Sequence, residues 1–333
     1  MRLISCALRR CVPLLATALV GLAVLPATAQ GSDAAYPSKP VRILTGFPPG
    51  QATDTLGRIM AVKLQEAMGQ QFYVDNKPGA AGIIATQQAA GAPPDGYTLL
   101  LTSSGPLAVN PALYTKLPYD PVKDFVPVGG IAIVPEVLVV TNDLPVKDVK
   151  DLVALARSQP GKVNYASGGV GVTNHLVAEM FRATAGIDIN HIPYKGGPPA
   201  LTDLVGGRVQ MMFETTVATL PFVKQGRIRA LAVSSPNRVA AAPDLPTIAE
   251  LGYPGFSGVP WIAIMAPAHT PPAIVARLNA EMNKALATRE VRDNFAAQGV
   301  EPMVMTPPEL GAFVKSEIVK WTKAVKDSGA KAD

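Results

Sequence analysis

Cysteine is confined to the first eleven residues of this 333-residue chain, at Cys6 and Cys11. The rest of the sequence therefore excludes a disulfide, a thiolate nucleophile and a cysteine metal site. Histidine is nearly as scarce: His175, His191 and His269 lie far apart and lack the paired spacing of a zinc-binding helix. Aromatic residues make up 6% and charged residues 17% of the chain, with no basic run and no basic stripe interleaved with aromatics. That argues against a nucleic acid partner. No Gly-x-Ser-x-Gly elbow and no Walker-type Gly-Lys-Ser/Thr occurs. Gly169-Val170-Gly171 starts a dinucleotide fingerprint, but Asn174 stands at its final glycine position. Asp120 and Asp124 sit among prolines and read as solvated turn residues or caps rather than an acid–base couple. No catalytic residue, no metal and no cofactor is expected.

What is present begins with an export signal. Arg2, Arg9 and Arg10 precede the apolar stretch Val12–Leu25, and Ala27-Thr28-Ala29 supplies a small-x-small cleavage site. Residues 1–29 read as a signal peptide with a mature start at Gln30. The apolar run of 14 residues falls short of the ~20 that a spanning helix needs, and no later segment is long and apolar enough. Neither cysteine follows that run, where a lipid-attachment cysteine belongs, so free periplasmic solubility is expected. Removing the signal takes three arginines from 30 basic residues, leaving 27 against 25 acidic ones. A mature chain of roughly 300 residues exceeds one usual core and indicates two domains.

Strand-like and helix-like segments alternate almost throughout, the signature of an α/β protein built on mainly parallel sheets flanked by helices. Two glycine-rich loops stand out, Thr45–Asp54 and Tyr165–Thr173, about 120 residues apart. Each follows a β-branched run and opens into a segment of helical period. Such a loop aims free backbone N–H groups and the positive end of a helix dipole at one point, an anion site made without a basic side chain. The glycines could instead serve only tight strand–helix turns; the pair favours binding. The pattern restarts after Asn142, so the second unit is inserted within the first. Crossings near Thr141 and Trp261 give residues 30–141 plus 261–333 as lobe 1 and 142–260 as lobe 2, with a ligand cleft between them.

With these loops in place the chain resembles a family, the periplasmic solute-binding proteins of tripartite tricarboxylate transporters, often called the Bug family. The resemblance runs from about Tyr36 to Ala332. It is carried by Tyr36–Pro40, Phe47–Asp54, Asp75–Gly82, Pro94–Leu99, Asn110–Tyr114, Tyr165–His175, Pro193–Leu201 and Gly226–Val233 in that order and spacing. It implies a two-lobed, flytrap-like receptor of the type II periplasmic-binding fold. Such a receptor closes over a small organic acid and delivers it to the permease subunits of a membrane transporter, acting as a monomer without catalysis. It also implies ligand contacts from the loops matching Phe47–Asp54 and Ser167–Thr173. One departure is Gly50-Gln51 where the family usually shows a glycine pair; another is Glu214, where an aspartate is common.

The expected ligand-binding set is Phe47, Pro49, Gly50, Gln51, Asp54, Ser103, Ser104, Ser167, Gly168, Gly171, Thr173, His175, Tyr194, Lys195 and Glu214. The backbone N–H groups of Gly50 and Gln51 are the proximal donors. Ser103 and Ser104 lie at the C-terminal edge of a strand, where open α/β sheets bind ligands, or form a turn. Thr173 is a distal contact or only a helix N-cap. Lys195 reads more readily as a solvated lysine than a ligand contact. Glu214 either accepts from an amino group on the ligand or caps the helix from Thr216, the cap being favoured. With hydroxyls, amides and one loop aromatic but few cations, the set suits a mono- or dicarboxylate with an apolar or aromatic body better than a tricarboxylate. Gly50→Val and Gly168→Val are each expected to weaken binding. The competing class is an exported hydrolase or isomerase using Ser167 with His175.

Overall fold

The structure, a computed structural model, describes residues 36–330; the expected signal peptide lies outside them. The first unit opens with β1 (Val41–Thr45), α1 (Ala52–Met68), β2 (Phe72–Asn76), α2 (Ile83–Ala90), β3 (Thr98–Ser103), the short α3 (Asn110–Leu113) and β4 (Phe125–Ile133). The second comprises β5 (Glu136–Thr141), α4 (Val149–Ser158), β6 (Asn164–Ser167), α5 (Thr173–Ala185), β7 (Asn190–Pro193), α6 (Gly197–Val205), β8 (Met211–Thr215), α7 (Thr216–Lys224) and β9 (Ile228–Val233). The chain then returns through β10 (Trp261–Pro267), α8 (Pro272–Ala287), α9 (Arg289–Ala297), β11 (Glu301–Pro302) and α10 (Pro307–Ser328).

Two sheets result, in the orders β11-β4-β10-β3-β1-β2 and β7-β6-β8-β5-β9. They are mixed rather than mainly parallel. β1 runs parallel to β2 and β3, but β10 lies antiparallel between β3 and β4. Likewise β6 is parallel to β7 and β8, while β5 is antiparallel to β8 and β9. β11 is antiparallel to β4 as well, and the other two reversed strands, β5 and β10, are those that follow each passage between sheets, a passage that no helical crossover accompanies. β5, placed by the sequence reading with the first unit, belongs to the second sheet. The first passage therefore falls at Val134-Pro135, earlier than the expected Thr141. The return passage, expected near Trp261, is found immediately before β10.

Local sequence explains each element. β1 is buried on both faces except at Arg42, as an interior strand of a helix-covered sheet must be. α1 buries Leu56, Met60 and Leu64 at helical spacing and stops at Gly69, which adopts the left-handed conformation. Gly57 lets this helix approach the sheet, because a Cβ there would overlap the Leu101 side chain. The alanine-rich run Ala80–Ala90 turns helical only at Ile83: Ala80, Ala81 and Gly82 all have positive φ and form a separate tight turn. α10 starts with a full capping box between Thr306 and Glu309. It runs back across both units, where Arg182 of α5 donates to the Ser328 carbonyl at 3.1 Å. Trp261, at the return passage, is fully buried.

Candidate functional site

Both glycine loops are held from within. Asp54, in the first turn of α1, accepts the Gly50 N–H at 3.0 Å and an Asn76 amide at 2.8 Å, and pairs with Arg58 at 2.8 Å. Burial acts to raise the pKa of Asp54, but the hydrogen bonds from Arg58, Asn76 and Gly50 outweigh it and hold the carboxyl below its usual value. The Gln51 N–H turns back to the Pro48 carbonyl at 3.3 Å. In the second loop Gly168 donates to Asn174 Oδ1, Gly169 to Ser167 Oγ and Gly171 to His175 Nδ1. The loop amides read from sequence as ligand donors are thus engaged in shaping the loops. What remains is the first helical turn beyond each loop. The N-cap residues Gln51 of α1, Val172 of α5 and Thr215 of α7 provide no side-chain cap, leaving the amide ends of these helices for another acceptor.

The two loops face each other across a cleft of about 520 Å³. One wall carries Phe47, Pro48, Gln51, Tyr114 and the tight turn at residues 78–82; the other carries residues 168–170, Val172 and residues 193–196. Behind Phe47, Gln51 and Val172, which line both spaces, lies a small cavity of about 30 Å³. Ala52 and Thr53 of α1, Thr173 and Asn174 of α5, Thr215 before α7, Ser103, Glu136 and Glu214 surround it. The walls touch at several points. Ser104 Oγ and Thr173 Oγ1 are 3.1 Å apart. Gly171 packs on Asn110 and Ala81, and Gly196 lies so near Pro48 that a Cβ would come within 2.6 Å of its ring.

The expected residues divide accordingly. Phe47, Gln51, Gly168, Tyr194 and Lys195 line the cleft, and Gln51, Ser103, Thr173 and Glu214 line the inner cavity. Gly50 is exposed and opens onto a neighbouring depression; Pro49 is exposed as well. Asp54, Gly171 and His175 shape the loops from behind. Ser104 bridges to Thr173 rather than lining either space. The Thr216 N–H goes to the Pro135 carbonyl at 3.0 Å. Glu214, expected to cap the helix from Thr216, accepts from the N–H of that helix's N-cap residue, Thr215, at 2.8 Å and from Asn174 at 3.2 Å. Burial raises its pKa, an effect these bonds oppose. Sequence reasoning missed the turn at residues 78–82, Tyr114, Val172 and Glu136. The run Pro78-Gly79-Ala80-Ala81-Gly82 was a legible turn signal; Glu136, at the head of the apolar run Val137–Val140, was the other.

Ser167 is fully buried and bonds His191 Nε2 at 2.6 Å, not His175. His191 is stacked between Tyr165 and His175, with ring centroids 4.7 and 4.3 Å away. Burial, then the neighbouring His175, lowers the His191 pKa to about 4. A nucleophile so enclosed has no route to a substrate in the cleft. The unfolded chain takes up this proton below the usual histidine value of about 6.5, the folded chain only near 4. Stability is therefore expected to fall as pH drops from about 6.5 towards 4. Denaturant unfolding should show that loss, and His191→Phe should flatten it.

The description "tripartite tricarboxylate transporter family receptor" fits residues 56–330. BugT of Bordetella pertussis (strain Tohama I) is 41% identical over 317 residues, covering 94% of this chain and 97% of BugT. The solved structure of R. palustris Rpa4515 with adipate has 38% identity and a TM-score of 0.87, covering 89% of this chain and 99% of that one. MatC (Rpa3494) from Rhodopseudomonas palustris with bound malate has 32% identity and a TM-score of 0.83, covering 87% and 100%. The protein is a solute-binding receptor and not an enzyme. By sequence over most of its length, and by fold, the chain belongs to the tripartite tricarboxylate transporter family of receptors.

Proposed function

We propose that this receptor captures a small mono- or dicarboxylate in the cleft between its glycine loops, in the periplasm that is home to its family, and hands it to the permease subunits of a tripartite transporter. The observation that carries the ligand class is the meeting of the α1 and α5 first turns and the α7 N-cap at one small cavity behind a mostly apolar cleft. Helix amide ends hold an anion, and the cleft beyond holds an apolar body. Lys195, at the cleft wall, suits a second carboxylate; among the described residues no further cation lines the cleft to meet a third. The adipate and malate held by the two solved relatives belong to this class. Residues 36–134 with 261–330 act as one lobe and 135–260 as the other, a monomer that closes on its ligand.

Thermal shift against adipate, malate, benzoate and citrate tests the reading. A ligand at a hundred times its Kd stabilises by about 2.7 kcal/mol. Adipate, malate or benzoate should raise the melting temperature, citrate should not match them, and each should be recovered chemically unchanged. Turnover of the ligand, or citrate as the tightest binder, would defeat it.

A further inference from the structure

Glu136 is 1% exposed, and its Oε2 has no hydrogen-bond partner. It sits at the start of β5, opposite Thr215 of β8, and lines the inner cavity where α1, α5 and α7 begin. Gln51, whose Oε1 is likewise buried and without a partner, lines the same cavity, as does Thr215. Among the described residues no lysine, arginine or histidine lines it. An ionised carboxylate here would be buried without a counter-ion, which is costly. A neutral carboxylic acid has an O–H to donate.

The surrounding charges leave Glu136 to itself. On β8, Glu214 is the other titratable group of the cavity and is occupied by Thr215 and Asn174. On α1, Asp54 is tied to Arg58 and Asn76. On α5, His175 stacks on His191, and Glu179 bonds Tyr165 and Arg182. On β9, Arg229 donates to the Leu144 and Val146 carbonyls. Burial, then the Glu214 carboxylate, pushes the Glu136 pKa well above the usual value.

Resting on the receptor reading above, we propose that Glu136 is a specificity-determining ligand contact: a neutral acid whose O–H donates to a carboxylate of the bound solute. The Gln51 amide completes the donor set once its oxygen and nitrogen exchange places, an exchange its unpartnered oxygen permits. So do the first-turn amides of α1 and α5. A carboxylate brings only acceptors, which matches this set. A cation would instead meet the positive ends of the helices. Capture is then linked to a proton: carboxylates bind while Glu136 is protonated and are repelled once it ionises.

The test is calorimetric affinity for adipate, malate and benzoate between pH 6 and 9, with infrared detection of the neutral carboxyl in ligand-free protein. In the wild type a neutral-carboxyl band should be present at pH 6 and lost in Glu136→Gln. Affinity should fall about tenfold per pH unit above the Glu136 pKa. Glu136→Gln keeps a donor and should bind with no such slope, whereas Glu214→Gln should retain it. An absent band, a pH-independent wild-type affinity, or a slope that survives in Glu136→Gln overturns the proposal while leaving carboxylate capture standing. If none of the three acids binds at any pH, the receptor reading fails and this inference fails with it.

Discussion

Gly196→Ala is expected to weaken ligand binding by roughly tenfold to a hundredfold, about 1.4–2.8 kcal/mol. Gly196 has φ +112 and ψ 167, a region only glycine occupies readily. Its N–H is pinned to the Gly168 carbonyl at 3.0 Å, so the backbone has little room to relax. An added Cβ would stand 2.6 Å from the Pro48 Cγ on the opposite wall. The backbone strain is present whether the lobes are apart or together and lowers stability in both. The overlap with Pro48 exists only when the walls meet, so it falls on binding alone. Gly50→Ala is the control: φ is +82, yet a Cβ there meets nothing within 4 Å. It should cost about 1 kcal/mol of stability and leave affinity nearly unchanged. That revises the expectation that a side chain at Gly50 blocks the ligand. Calorimetry with adipate, and small-angle scattering with and without it, read both effects. The wild type should contract on binding and Gly196→Ala should stay at its ligand-free radius. Equal affinity in the two proteins would show that the walls need not meet.

The same comparison marks what the sequence could convey. The strand–loop–helix units around Gly50 and Gly168 were legible because local rules govern them: β-branched runs, turn glycines, then apolar residues at helical spacing. Strand direction was not. Whether β5 joins the first sheet or the second depends on pairing with β8 and β9, and no residue between Val137 and Val140 encodes that. For the site, the loops were found but their donors were misassigned. Spacing shows that Gly50 has an N–H; it does not show that Asp54, four residues on, folds back to take it. Equally, Glu136 drew no notice because an acid just before Val137-Leu138-Val139-Val140 reads as a strand terminus. Only the meeting of three helix starts around it makes it part of a cavity. Long-range convergence of this kind is set by the packed fold rather than by any short pattern.

The joint between the units supplies the largest effect expected on stability. Glu317 Oε2 accepts from two indoles at once, Trp261 Nε1 at 3.0 Å and Trp321 Nε1 at 2.9 Å, and both rings are fully buried. Trp261 opens the return strand β10, while Glu317 and Trp321 lie on α10, so one carboxylate oxygen ties the passage to the C-terminal helix. Lys320 reaches the other oxygen at 3.2 Å from a more exposed position and adds little. Glu317→Leu fills similar volume but leaves two buried N–H groups without an acceptor, at about 1–3 kcal/mol each. The expected loss is roughly 2–6 kcal/mol, or a melting temperature lower by about 5–15 °C. Glu317→Gln keeps a carbonyl oxygen for the indoles and should lose less than half as much. The two variants together separate the hydrogen bonds from the charge. If Gln and Leu destabilise equally, the charge of Glu317 matters and the shared acceptor does not. If neither changes thermal unfolding, α10 contributes to the joint through apolar packing alone.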